Sequence, residues 1–362
     1  MRHVLAAIPF ALLAACGDPP LQEESRYFRL YHDDTRTPCR GTLPALDRYL
    51  EDLRAELGLP PPSPQEVEYH WVDEDLLQDR CARASSGCVQ WPSDRLYAVW
   101  FPHTHEVVHA AATPLGESPS WLAEGLAMAY QGGDDNGVRF GELDARALVG
   151  QSRNLPAGLY GAAGAWVRHL LDRFGAAAVV RFYADLSRLA GEREVDDSFA
   201  RIFGEPLSVV ANEFRERFDG CSLTGMTKNL WECGADPLAW DGDTLLLHRT
   251  VDCAQDDVIG PYDGEIAAVF LTIDIDEPGL FDLRVEATLT DDDVAATTNG
   301  VALGSCASTC ESNLYVEVSP GDTKLLTLSR GRYYLELHAP SAAATHIALS
   351  LRRIASTSTP PD

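Results

Sequence analysis

Residues 101–131, FPHTHEVVHAAATPLGESPSWLAEGLAMAYQ, carry the constellation around which the rest of the chain is organised. His105 and His109 are four apart, so on a helix they project within about 40° of one another and one turn apart, and both imidazoles can reach one ion. Glu106 beside them has the place of a general base, taking a proton from a water that a zinc ion has made acidic. Catalytic zinc needs a third protein ligand and an open fourth position, which HEVVH alone does not supply. Fourteen residues separate His109 from Glu124. Among them Thr113, Pro114, Gly116, Ser118 and Pro119 read as a helix stop, a turn and a new helix start. That turn folds a second helix back antiparallel to the first, and Glu124 on it completes a His105, His109, Glu124 zinc set. Gly125 lets the helices approach closely.

These residues resemble the gluzincin metallopeptidases, in particular the M1-like group. There HExxH is followed on the next helix by W-L-x-E-G-x-A, and this chain has Trp121, Leu122, Glu124, Gly125 and Ala127 in that order. The spacing between the two motifs is shorter than in typical M1 aminopeptidases and implies a tighter turn. The resemblance implies a small mixed sheet ahead of the metal helix, with an edge strand lining a cleft where an extended peptide can add as a further strand. It also implies a tyrosine that donates to the substrate carbonyl from a helix opening with small residues. Tyr160, at the head of YGAAGAWVRHLLDRF, fits that place, and Tyr130 is the alternative. The G-x-M-E-N segment that holds a free amine in M1 aminopeptidases has no counterpart before Arg95, which favours endopeptidase over aminopeptidase activity. His103, two residues before His105, cannot share the ion's face of the helix.

Elsewhere the chain reads as that of an exported protein. Residues 1–16, MRHVLAAIPFALLAAC, have a basic start, a short apolar run and small residues before a cysteine. This is a secretory signal ending in a motif that resembles the bacterial lipobox, so Cys16 is expected to carry lipid at the cell envelope. Residues 17–25 read as a tether. The net charge of −26 repels nucleic acid and anionic membrane surfaces and argues against nucleic-acid partners; the resemblance implies a peptide or protein substrate. Without Cys16, eight cysteines remain, an even number that argues for disulfides. Short separations favour Cys81–Cys88, Cys221–Cys233 and Cys306–Cys310, which leaves Cys39 for Cys253.

Periodicity predicts strands over 27–31, 67–72 and 95–100, helices over 43–59 and 73–80, and mainly helical segments from 160 to 218. From Leu245 onward, short alternating runs separated by turn residues indicate a β-sandwich. Asp291, Asp292 and Asp293 lack the spacing of a calcium loop and read as a solvated turn. The expected fold is α+β: a zincin-like catalytic domain over 26–220, made of a small mixed sheet and the active-site helices, followed by an all-β sandwich over 240–355. The expected function is zinc-dependent peptide hydrolysis at the bacterial envelope. The alternative is a zinc-containing lipoprotein that binds or scaffolds without turnover. Glu106 separates the two, since a site without catalysis has no physical need for a carboxylate between two ligands.

Overall fold

The computed structural model describes residues 18–81, 86–132, 145–151, 154–218, 228–262, 264–289, 300–307 and 314–354. Cys16, Cys221, Cys310 and the three consecutive aspartates from Asp291 lie outside them. The chain is of mixed helix and sheet, with a strand-rich C-terminal part.

The first sheet is built from β1 (Leu21–Glu24), β2 (Phe28–Tyr31), β3 (Val67–Trp71), β4 (Gly87–Gln90) and β5 (Arg95–Ala98), in the order β1-β2-β3-β5-β4. The central pairs are parallel and both edge pairs antiparallel. Helix α1 (Thr42–Glu56) crosses over between β2 and β3, and α2 (Glu74–Arg80) follows β3. Asp73 caps α2 by accepting a hydrogen bond from the Leu76 amide at 2.8 Å, and Glu74 and Asp75 in the first turn complement the helix dipole. Leu77, Cys81, Val72 and Tyr97 form a small cluster on the α2 side of the sheet. On the same sheet His70 is stacked between Tyr31 and Tyr97, with ring centroids 4.4 and 4.5 Å away.

Two features depart from the expectations at the start of the chain. The tether does not extend to residue 25, because Leu21–Glu24 pair with β2 as an exposed edge strand. Asp18 is also fixed, by an ion pair to Arg80 at 2.9 Å. At the other edge β4 appears between the expected elements. The Cys81–Cys88 disulfide staples it to the end of α2.

The helix that carries His105 and His109 is α3 (Thr104–Ala112), followed by a short 3-10 turn and α4 (Ser120–Tyr130). Then come α5 (Ala145–Val149), α6 (Tyr160–Phe174), α7 (Ala176–Asp185), α8 (Glu192–Phe203) and α9 (Leu207–Phe218). Trp121, Trp166, Phe182, Phe199 and Phe214 are fully buried in the large cluster that joins these helices to the first sheet. Each such side chain contributes on the order of 2–3 kcal/mol through burial.

The C-terminal part consists of β6 (Thr244–Val251), β7 (Ile259–Tyr262), β8 (Ile266–Ile275), β9 (Gly279–Leu289), β10 (Gly300–Ser305), β11 (Tyr315–Val318), β12 (Thr323–Leu328), β13 (Gly331–Pro340) and β14 (Thr345–Ile354). They form two sheets, β11-β10-β13-β8-β7 and β12-β9-β14-β6. Val269, Leu303 and Leu335 of one sheet share an apolar cluster with Phe281, Leu326 and Leu349 of the other. Strand β10 is buried along its whole length, so it lacks the alternation by which the others are recognised.

The two parts meet along a seam at the start of α1. Cys39 is bonded to Cys253, and Thr42 Oγ1 donates to the Gly260 carbonyl at 2.8 Å. Ala45 packs with Ile259 and Ala268, against which Trp231, Tyr262 and Phe270 also lie. A second bond joins Cys233 to Cys306, which corrects the expected Cys221–Cys233 and Cys306–Cys310 pairs. Chain proximity is outweighed here by the docking of the segment before β6 onto β10. Asn229 Nδ2, for instance, donates to the Ser305 carbonyl at 2.8 Å. The expected Cys39–Cys253 and Cys81–Cys88 pairs are present. Among the described residues no helix is long and apolar enough to cross a membrane.

Candidate metal centre

Helix α3 presents His105 and His109 from one face, one turn apart, and α4 runs back beside it with Glu124. The turn between them is tight: Pro114 sits in the 3-10 segment and Gly116 reverses the chain at φ 86°, a conformation that costs glycine little. Glu124 Oε2 lies 3.1 Å from His105 Nε2 and 3.2 Å from His109 Nε2. One nitrogen or oxygen from each of the three residues lies within 4.8 Å of the others. Two ligands bound to zinc at about 2.0–2.1 Å and a tetrahedral angle stand roughly 3.3–3.4 Å apart. The donor set therefore has the spacing of atoms that share an ion, and His105, His109 and Glu124 can hold a metal.

The tautomer of His105 supports this fit. Its Nδ1–H donates to Gln131 Oε1 at 2.8 Å, which leaves the lone pair on Nε2, the atom facing Glu124. Gln131 was not identified from the sequence. Its signal was the separation of seven from Glu124, two helical turns, which puts both on one face of α4. The Thr104 hydroxyl also donates to the Gln131 carbonyl, tying the end of α4 to the start of α3.

The electrostatics without an ion reflect the same closeness. Burial lowers the pKa of His109, but the charge and hydrogen bond of Glu124, with Glu106 behind them, outweigh it and push His109 up to about 9. Burial raises Glu124, yet the two histidines hold it well below the usual carboxylate range. Glu106 is 5% exposed. Burial raises its pKa against the opposing pull of His109 and His105, and its Oε2 is buried with no hydrogen-bond partner. This carboxylate is an unengaged proton acceptor beside the donor set.

Tyr160, at the first position of α6, enters the same site: its ring centroid is 6.1 Å from that of His105. Burial, then Glu124 and Glu106, raise its pKa above the ordinary phenol value, so it is a hydrogen-bond donor at neutral pH. It arrives there because α6 crosses α4 closely. A Cβ on Gly125 would stand 2.7 Å from the Ala163 carbonyl oxygen, and one on Gly164 2.6 Å from Met128 Cβ. The close approach that Gly125 permits is thus to α6, not to α3 as expected. Tyr130 is fully buried; its carbonyl accepts from the Tyr49 hydroxyl at 2.7 Å, and it belongs to the core. His103 is not among the ligands. It stacks on Trp100 with centroids 5.5 Å apart, and its Nε2 is 3.1 Å from Ser86 Oγ. Burial, with His105 and His109 nearby, lowers its pKa to about 3, so it is neutral.

No protein-family profile matches the chain and no curated protein does. Similarities to solved structures are slight. Peruvianin-I, a cysteine peptidase from Thevetia peruviana latex, is 16% identical over 34% of this chain and 69% of its own, with a TM-score of 0.14. A family GH115 4-O-methyl-α-glucuronidase with specificity for decorated arabinogalactans is 10% identical over 68% of this chain and 38% of its own, at 0.18. Hydroxypropylphosphonic acid epoxidase from S. wedmorenis is 11% identical over 53% and 96%, at 0.13. At such scores neither fold nor activity transfers to this chain.

Proposed function

We propose that this protein is a zinc-dependent peptide hydrolase of the gluzincin type, with a zincin-like catalytic part, and that it works at the bacterial cell envelope anchored through lipid on Cys16. The observation that carries this reading is the convergence of His105, His109 and Glu124 beside the buried, unpartnered carboxylate of Glu106. A donor set of two imidazoles and one carboxylate is the catalytic zinc type, which leaves a position open. Zinc held there supplies Lewis acidity, lowering the pKa of a water and polarising a carbonyl.

The protein's own groups divide the remaining work. Glu106, whose pKa burial has raised, takes the proton of the attacking water and delivers it to the leaving amine nitrogen. Tyr160 donates a hydrogen bond to the carbonyl oxygen as charge develops on it. Among the described residues strand β4 pairs on one side only, with β5, and its outer edge offers backbone groups to an extended peptide. The sequence of β4, GCVQ, provides no carboxylate for a free α-amine, which supports endopeptidase over aminopeptidase action. The disulfides agree with an oxidising compartment.

The test is Glu106→Gln. It should retain one equivalent of zinc by elemental analysis and lose nearly all cleavage of a broad peptide mixture. Equal cleavage by wild type and variant at equal zinc occupancy would overturn the mechanism.

A further inference from the structure

We infer that Gly87 is a positioning residue for Glu106, an inference that rests on Glu106 being the general base. Strand β4 begins at Gly87 and lies directly against the first turn of α3. A Cβ built on Gly87 would stand 2.6 Å from Glu106 Cγ, 2.9 Å from Oε1 and 3.0 Å from Cδ, and its three nearest atoms all belong to Glu106. The φ of Gly87 is not positive, so no dihedral reason calls for glycine there. Proximity to Glu106 is the reason.

Neither wall can retreat. Gly87 is paired with Ala98 of β5, the next residue is bonded to Cys81, and Ser86 is hydrogen-bonded to His103 at the start of α3. Glu106 is buried on a helix whose neighbouring residue, His105, is held through Gln131. The backbone of β4 therefore blocks one side of the Glu106 side chain. The strand edge proposed to receive the substrate is in contact with the base itself. Gly87 thereby fixes the distance between the wall of the cleft and the group that moves the proton. Any side chain at this position displaces the carboxylate, because only that side chain can give way.

Gly87→Ala should keep one equivalent of zinc, since it touches none of His105, His109 and Glu124. It should leave KM within about twofold and lower kcat by about 10²-fold, the cost of displacing a reacting group by about an ångström. A thermal double-mutant cycle tests the contact without activity: Gly87→Ala should lower Tm in the wild-type background and leave it unchanged or raised in a Glu106→Ala background. An equal fall in both backgrounds overturns the inference, as does an unimpaired kcat in an active enzyme. If Gly87→Ala alone does not fold, the double variant should; failure of both to fold also overturns it. If wild type cleaves no peptide, the proposed function fails while the cycle still decides whether Gly87 constrains Glu106.

Discussion

Replacing Gln131 by leucine removes the acceptor of the His105 Nδ1–H while leaving every ligand atom in place. The bond is 2.8 Å long and partly buried, and leaving a buried donor unpaired costs about 1–3 kcal/mol. Here the cost falls mainly on the metal-bound state, because without the acceptor His105 is free to change tautomer and turn its ring, and its Nε2 becomes a weaker base. Loss of such a partner typically reduces metal affinity by about 10–100-fold, or roughly 1.4–2.7 kcal/mol. The Gln131 carbonyl, which accepts from Thr104, is retained, so Tm of the metal-free protein should change little. Gln131→Glu is the control: a carboxylate accepts more strongly, and affinity should equal or exceed that of wild type. The assay is zinc titration in competition with a chromophoric chelator at fixed pH. Wild-type affinity in Gln131→Leu would refute the claim that this hydrogen bond orients a ligand.

Two other outcomes are expected. Tyr160→Phe should lower kcat by about 10²–10³-fold with KM little changed, as loss of one oxyanion donor does; an unimpaired variant removes Tyr160 from the mechanism. His70 titrates below its ordinary value of 6.5 because it is buried between two tyrosines, despite Asp18 and Glu68. Below pH 6.5 the unfolded chain therefore binds a proton that the folded chain refuses, and stability falls as pH drops from 6.5 toward the folded pKa, by up to about 1.4 kcal/mol per pH unit. His70→Phe keeps a ring in the stack and should flatten this limb in denaturant midpoints measured from pH 7 to 4.5; an unchanged slope would refute the assignment.

The metal group was legible because its constraints are local. Histidines four positions apart and a proline-glycine turn before the next helix fix the geometry within a short stretch, and Tyr160 headed a helix whose bounds were readable. What stayed hidden depends on contacts between distant segments. Gly87 has meaning only because a strand passes a helix residue 19 positions later. Strand β10 is covered on both faces, so its GVALGS sequence carries no period-two signal, and β7 contains Pro261, which reads as a breaker. The Cys233–Cys306 bond follows from where residues 228–233 dock on β10, which spacing along the chain does not encode. Tyr130 and Tyr160 illustrate the same limit. Both are near the metal helices in sequence, and only the direction of each helix decides that one enters the site and the other the core.

The bond between Cys39 and Cys253 spans 214 positions, and α1 to α9 all lie inside that span. Topologically the part that carries His105, His109 and Glu124 is a closed ring whose two ends are knotted off at a single point. In the chain-entropy treatment, closing a ring of this size removes roughly 5 kcal/mol of freedom from the unfolded chain. A single backbone cut inside the ring opens it without releasing a fragment, because both pieces remain tied to the strand-rich part. One nick would leave His105, His109 and Glu124 in one covalent molecule, with His105 and Glu124 still joined even when the chain between them is severed.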